Sequence, residues 1–153
     1  MEVLICPDSF TGTLTAAQAA RAIARGWAEH APGDRLVLRP LSDGGPGFVA
    51  AIGAGSGGEL VERTVTGPLG EPVTAQYLIG PHGTAWIESA QAAGLHLVPV
   101  ERRDPIRTTT WGVGELIADA LTGGARRIVL GVGGTGTCDG GAGLLGALGA
   151  VAD

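Results

Sequence analysis

Two apolar, strand-like runs end in Asp-Gly-Gly loops that lead into helices of small residues: Leu36-Val37-Leu38 before Asp43-Gly44-Gly45, and Ile128-Val129-Leu130 before Asp139-Gly140-Gly141. A carboxylate at such a loop can hold a divalent cation. The glycines let backbone N–H groups approach a ligand without a Cβ in the way, and a helix N-terminus adds partial positive charge. Asp-Gly is also ordinary turn chemistry, so one such loop is weak evidence. Two in the same strand-to-helix setting point to a site for a polyanion and a metal.

A third loop, Pro7-Asp8-Ser9-Phe10-Thr11-Gly12-Thr13, follows the first strand and brings one carboxylate and three hydroxyls to a helix start. With parallel strands, Asp8, Asp43 and Asp139 share the carboxyl edge of the sheet, where open α/β folds bind ligands. Three converging carboxylates repel unless a cation or protons intervene. Phosphoryl transfer needs a cation, donors around the phosphate oxygens and a carboxylate for the attacking hydroxyl. Asp8, Asp43 and Asp139 supply the acids. Ser9, Thr11, Gly44, Gly45, Gly133, Gly134, Gly140 and Gly141 supply hydroxyl or backbone donors, and Thr108 opens a Thr-rich segment that can add more. Glu88 follows a strand and either faces a cleft or is a solvated strand end. His30, His82 and His96 share no metal-ligand spacing.

The elements that position these residues alternate. Strands are expected at residues 2–6, 35–39 and 127–132, and helices at about 14–30, 47–54, 108–121 and 141–150. Residues 59–65 and 73–79 alternate with period two around the turn Gly67-Pro68-Leu69-Gly70, which predicts a hairpin, and residues 84–88 can join it. The expected fold is α/β, a mostly parallel, doubly wound sheet of Rossmann or flavodoxin type with an inserted hairpin subdomain. The expected division is 1–57, 58–98 and 99–153. No strand returns after the last helix, so the sequence reads as the N-terminal part of something longer; were the chain to end at Asp153, an exposed apolar face on that helix would favour self-association or instability.

Composition narrows the function. The formal net charge is −5, and no basic cluster exceeds Arg102-Arg103 or Arg126-Arg127, which argues against nucleic acid or an anionic membrane. No apolar run is long enough to span a bilayer, and the expected location is the cytoplasm. All ten basic residues are Arg, so a Walker loop, which needs Lys, is excluded. Cys6 and Cys138 read as reduced thiols.

Five ordered segments, Pro7-Asp8-Ser9-Phe10, Ser42-Asp43-Gly44-Gly45-Pro46-Gly47, Thr66-Gly67-Pro68-Leu69-Gly70, Thr108-Thr109-Thr110-Trp111-Gly112 and Asp139-Gly140-Gly141-Ala142-Gly143, together resemble glycerate kinases of the bacterial type I family. The resemblance covers the N-terminal portion of such enzymes. It implies transfer of the γ-phosphoryl group of ATP to a hydroxyl of D-glycerate with Mg²⁺. Its carried-over site is Asp8, Ser9, Asp43, Gly44, Gly45 and Asp139 with the Thr108 segment nearby. Asp43 and Asp139 would hold Mg²⁺ or orient the glycerate hydroxyls, Asp8 would act as base or orienting group, and alanine at Asp43 or Asp139 is expected to stop turnover with folding largely intact. Three departures touch this site: Thr11 stands where the family usually has Lys, Pro46 where it has Glu, and Cys138 where it has Asn or a small polar residue. Two rivals stay open: a binding domain of the same fold that has lost turnover, and, more weakly, an oxidoreductase suggested by Gly131-Val132-Gly133-Gly134.

Overall fold

The computed structural model describes residues 1–151. Strand β1 (Glu2–Ile5) leads to α1 (Ala16–His30) and β2 (Arg35–Leu38), which pairs parallel with β1 from Glu2↔Arg35 to Ile5↔Leu38. Thr15 starts α1 through a capping box: its hydroxyl accepts from Gln18 N at 3.2 Å, and Gln18 Oε1 accepts from Thr15 N at 2.9 Å. Next come α2 (Phe48–Ser56), β3 (Glu59–Thr66), β4 (Pro72–Ile79), β5 (Thr84–Glu88), the short α3 (Ala90–Ala93), α4 (Trp111–Thr122), β6 (Arg127–Gly131) and α5 (Ala142–Ala147).

The larger sheet has the order β3-β4-β5-β6. The hairpin β3–β4 and the β4–β5 pair are antiparallel, whereas β5 and β6 run parallel from Thr84↔Arg127 to Glu88↔Gly131. The expected α/β layering with parallel strands is present, but residues 58–98 do not close a sheet of their own. β5 pairs with β4 on one edge and with β6 on the other, and Ala85 and Ile87 on one of its faces are 0% exposed in the cluster with α3 and α4.

Alternation along the strands feeds two cores. On one face Val65, Ala75, Tyr77, Ala85 and Ile87 pack with Ala92 and Ala93 of α3 and with Val113, Leu116, Ile117 and Ala120 of α4. On the other, Leu78, Trp86 and Val129 meet Phe48, Val49 and Ile52 of α2. Adjacent residues such as Tyr77 and Leu78 thus serve opposite faces, the period-two rule of a strand. α4 needs its glycines: a Cβ on Gly112 would lie 1.9 Å from Thr66 O, and one on Gly114 would lie 2.5 Å from Leu144 O. These two positions let α4 sit directly against the end of β3 and against α5.

Helix α4 begins at Trp111, so Thr108 to Thr110 precede it rather than form its first turn, and α5 is shorter than the expected 141–150. No helix among the described residues is long and apolar enough to cross a membrane.

Candidate functional site

Loops from the carboxyl ends of β1, β2, β5 and β6 build the site. After β1, Asp8 turns back on itself: Ser9 N donates to Asp8 Oδ1 at 2.6 Å. Its other oxygen, Oδ2, accepts from Asp43 N at 3.1 Å, which joins the first loop to the one after β2. In that second loop Asp43 Oδ1 accepts from Gly45 N at 2.8 Å and Ser42 Oγ from Gly44 N at 3.2 Å. Asp8 and Asp43 are therefore neighbours, both exposed.

The Asp43 loop rests on the loop after β6, backbone to backbone. Gly44 has φ +93° and a Cβ there would sit 3.2 Å from Val132 N, while a Cβ on Gly133 would come within 2.8 Å of Gly45 Cα. Glycine is required on both sides of this contact. Pro46, at the position where Glu was expected by resemblance, packs over Gly134, whose Cβ would meet the proline ring at 2.7 Å. A cavity of about 430 Å³ opens beside the loops, between the segment Asp8–Gln18 and the start of α2, with Asp8, Ser9, Thr11, Pro46 and Gly47 among its walls. Its size suits a small-molecule ligand.

Two helix N-termini that the sequence offers as anion cradles are already occupied from within the chain. The first amides of α2 donate to Glu88: Gly47 N at 3.0 Å and Val49 N at 3.3 Å, both to Oε2. Glu88 is 3% exposed rather than a solvated strand end. Burial pushes its carboxyl above the usual range, a push only partly offset by the N–H groups of Val49, Gly47 and Phe48 and by the nearby His96. The sequence signal for Glu88 was its place at the end of a buried strand. Its partners lie 41 and 39 residues away, which only the fold supplies.

The first turn of α5 is held by Asp139. Oδ2 accepts from Thr110 N and Thr110 Oγ1, both at 2.8 Å, and from Gly143 N at 3.1 Å, and Oδ1 accepts from Gly141 N at 3.0 Å. Burial alone would raise the Asp139 carboxyl, but these donors outweigh it and hold the group below the ordinary carboxylate range. Thr110 Oγ1 also accepts from Leu144 N at 3.0 Å, so Thr110 and Asp139 tie the starts of α4 and α5 together. Thr108 is 4% exposed, and its hydroxyl donates to Gly136 O at 2.7 Å or Pro105 O at 3.1 Å, which fixes the glycine-rich loop.

The candidate residues thus separate into two groups. Asp8, Ser9, Thr11, Asp43, Gly44, Gly45, Gly133 and Gly134 gather around the cavity and the paired loops. Thr108, Asp139, Gly140 and Gly141 lie in the neighbouring α4–α5 cluster. The three aspartates do not converge: among the described residues no three His, Cys, Asp or Glu side chains form a metal-binding group. Asp139 instead spends its oxygens on Thr110 N and Oγ1 from the start of α4 and on Gly141 N and Gly143 N of its own loop.

The sequence model of the glycerate kinase family matches residues 3–153. A glycerate kinase of Bacillus subtilis is 50% identical over 150 residues, 97% of this chain and 39% of its own length. A glycerate 2-kinase of Escherichia coli is 49% identical over 151 residues, 98% of this chain and 40% of its own. A crystal structure from Salmonella typhimurium LT2 assigned to glycerate kinase 2 superposes with a TM-score of 0.82 at 45% identity, covering 97% of this chain and 40% of that one. The chain spans about two fifths of the length of these relatives.

Proposed function

This chain belongs to the glycerate kinase family, and we propose that it supplies part of the active site of a cytoplasmic enzyme that phosphorylates D-glycerate from ATP. In this reading a glycerate hydroxyl oxygen attacks the γ-phosphorus. The new O–P bond forms as the bond from phosphorus to the β–γ bridging oxygen breaks, and ADP leaves. The hydroxyl proton passes to Asp8. The amides of Gly133 and Gly134, with Ser9 and Thr11, surround phosphate or substrate oxygens, while the amides of Gly44 and Gly45 are held by Ser42 and Asp43 and shape the loop.

Mg²⁺ is commonly held by one or two carboxylates together with substrate phosphates, and it neutralises the charge that those phosphates carry. Asp43 fits that part. Its Oδ2 takes no hydrogen bond from a described residue, and Asp8 adjoins it. Asp139, the other carboxylate read from the sequence as a metal ligand, already accepts four hydrogen bonds. Its part is to hold the glycine loop at the α4–α5 cluster.

The observation that carries the proposal is the grip of Asp8 on the amide of Asp43 while Gly44 and Gly45 lie on the backbone of residues 131–133. One small contact zone thereby contains both acids and two glycine loops. The test is phosphorus NMR of the intact protein with D-glycerate, ATP and Mg²⁺. A phosphoglycerate signal that disappears in Asp43→Ala is the expected result, and no phosphoglycerate from the wild type would refute the kinase reading.

Thr11 and Pro46 favour a second reading, a site that binds the hydroxy acid or nucleotide without transferring phosphate. The Lys expected at position 11 would bring a positive charge to the cavity wall that Thr cannot supply. Thr11→Lys decides between them: an enzyme gains turnover, and a pure binding domain gains none.

A further inference from the structure

Glu88 stands at the end of β5, and its neighbour Ser89 extends the β5–β6 contact by donating from N to Gly131 O at 3.0 Å. A carboxylate this deep is costly unless its charge is answered. No arginine or N-terminal ammonium pairs with Glu88 among the described residues. The answer comes from the first turn of α2, whose amides and dipole favour an anion. That cap could have been local, from Ser, Thr, Asp or Asn at the residue before the helix. Instead Gly47 stands there with φ +98° and no side chain, and the capping group comes from a different strand.

We propose that Glu88 is the positioning residue for the Asp43 loop. Two carboxylates bracket that loop: Asp8 Oδ2 takes Asp43 N from the β1 side, and Glu88 Oε2 takes Gly47 N and Val49 N from the β5 side. Gly44 and Gly45 lie between them on bare backbone, with no side chain to key them to residues 131–133. Sideways placement of Asp43 therefore depends on the bracket. Glu88 touches no substrate; it acts through Asp43, and its catalytic consequence rests on the kinase reading, whereas its hold on the loop does not.

The experiment combines amide hydrogen exchange by NMR with steady-state kinetics on the intact protein, for wild type, Glu88→Ala and Glu88→Gln. Glu88→Ala is expected to speed exchange at Gly47 and Val49 by about tenfold or more while the amides of α4 keep their rates. It should lower kcat by about a hundredfold with much less change in KM, the effect of a small misplacement of a reacting group. Glu88→Gln keeps a carbonyl oxygen for the same amides, so it should recover most of the protection and part of kcat. It also carries the test if the alanine variant does not fold. Wild-type exchange rates at Gly47 and Val49 in Glu88→Ala would overturn the proposal. Faster exchange with unchanged kcat would overturn the positioning role and leave Glu88 a cap. Faster exchange in a protein whose wild type makes no phosphoglycerate would uphold the bracket and refute only the kinase reading.

Discussion

Replacing Asp139 by alanine should destabilise the protein far more than replacing Asp43, although the two occupy matching Asp-Gly-Gly loops. Asp139 accepts four hydrogen bonds, from Thr110 N and Oγ1, Gly141 N and Gly143 N, at 2.8 to 3.1 Å in a half-buried setting. Each bond to a carboxylate contributes about 1.5–3 kcal/mol when its partner is left buried, but these share one acceptor group and water can reach part of the loop, so they do not add in full. Loss of a helix cap alone costs about 1 kcal/mol. We expect about 3 kcal/mol in total for Asp139→Ala, or about 6–12 °C in Tm for a domain of this size. Asp43→Ala removes one bond at an exposed side chain, from Gly45 N at 2.8 Å, and should cost about 1 kcal/mol or less. Asparagine will not rescue position 139. Both carboxylate oxygens face amide donors, so one of them must meet an NH₂ group. Urea and thermal denaturation of the three variants test this. The acid limb adds a check: the folded carboxyl lies below its ordinary value of 3.8, so the unfolded chain binds the proton more readily. The stability it contributes is complete above about 3.8, is lost as pH falls through the folded pKa, and should be missing from the pH profile of Asp139→Asn. An Asp139→Ala variant within about 0.5 kcal/mol of wild type, or an Asp43→Ala variant equally costly, would refute the reasoning.

Two glycines should respond in opposite directions to alanine. Gly112→Ala drives a Cβ to 1.9 Å from Thr66 O and should cost about 3 kcal/mol, whereas Gly26 in α1 has nothing within 4 Å, and alanine there should stabilise by about 0.5–1 kcal/mol. Urea midpoints decide both, and a neutral Gly112→Ala would mean that α4 does not sit on β3 as described. Tyr77 is the one tyrosine of the chain, so its phenol can be followed by ultraviolet absorbance without overlap. Burial, reinforced by its hydroxyl donating to Asp119 at 2.6 Å, pushes its pKa up to about 12. Because the folded phenol holds its proton more tightly than the unfolded one, stability is complete below about 10 and declines as pH rises towards 12. A midpoint near 10 in the folded protein would contradict the burial of this group.

Sequence by itself determined the alternation of strands and helices, the hairpin, the two Asp-Gly-Gly loops and the family resemblance, because these are written in local periodicity, turn chemistry and ordered motifs. With parallel strands it placed Asp8, Asp43 and Asp139 at one edge, and the structure brings Asp8 against Asp43 while Asp139 turns to Thr110. Tertiary structure decided what the loops do with their donors and acceptors. Glu88 looked equally suited to a cleft or to solvent, and only the pairing of β5 with β6 and the packing of α2 on that sheet bring its carboxylate to Gly47 and Val49. Asp139 looked like the twin of Asp43 until Thr110, from the start of another helix, occupied its oxygen. The physical reason is common to both cases. A carboxylate oxygen keeps room for a ligand or is committed to the fold according to how many donors of the folded chain come within about 3 Å of it. Residues 39 and 41 apart in one case and 29 apart in the other meet only once the chain has folded.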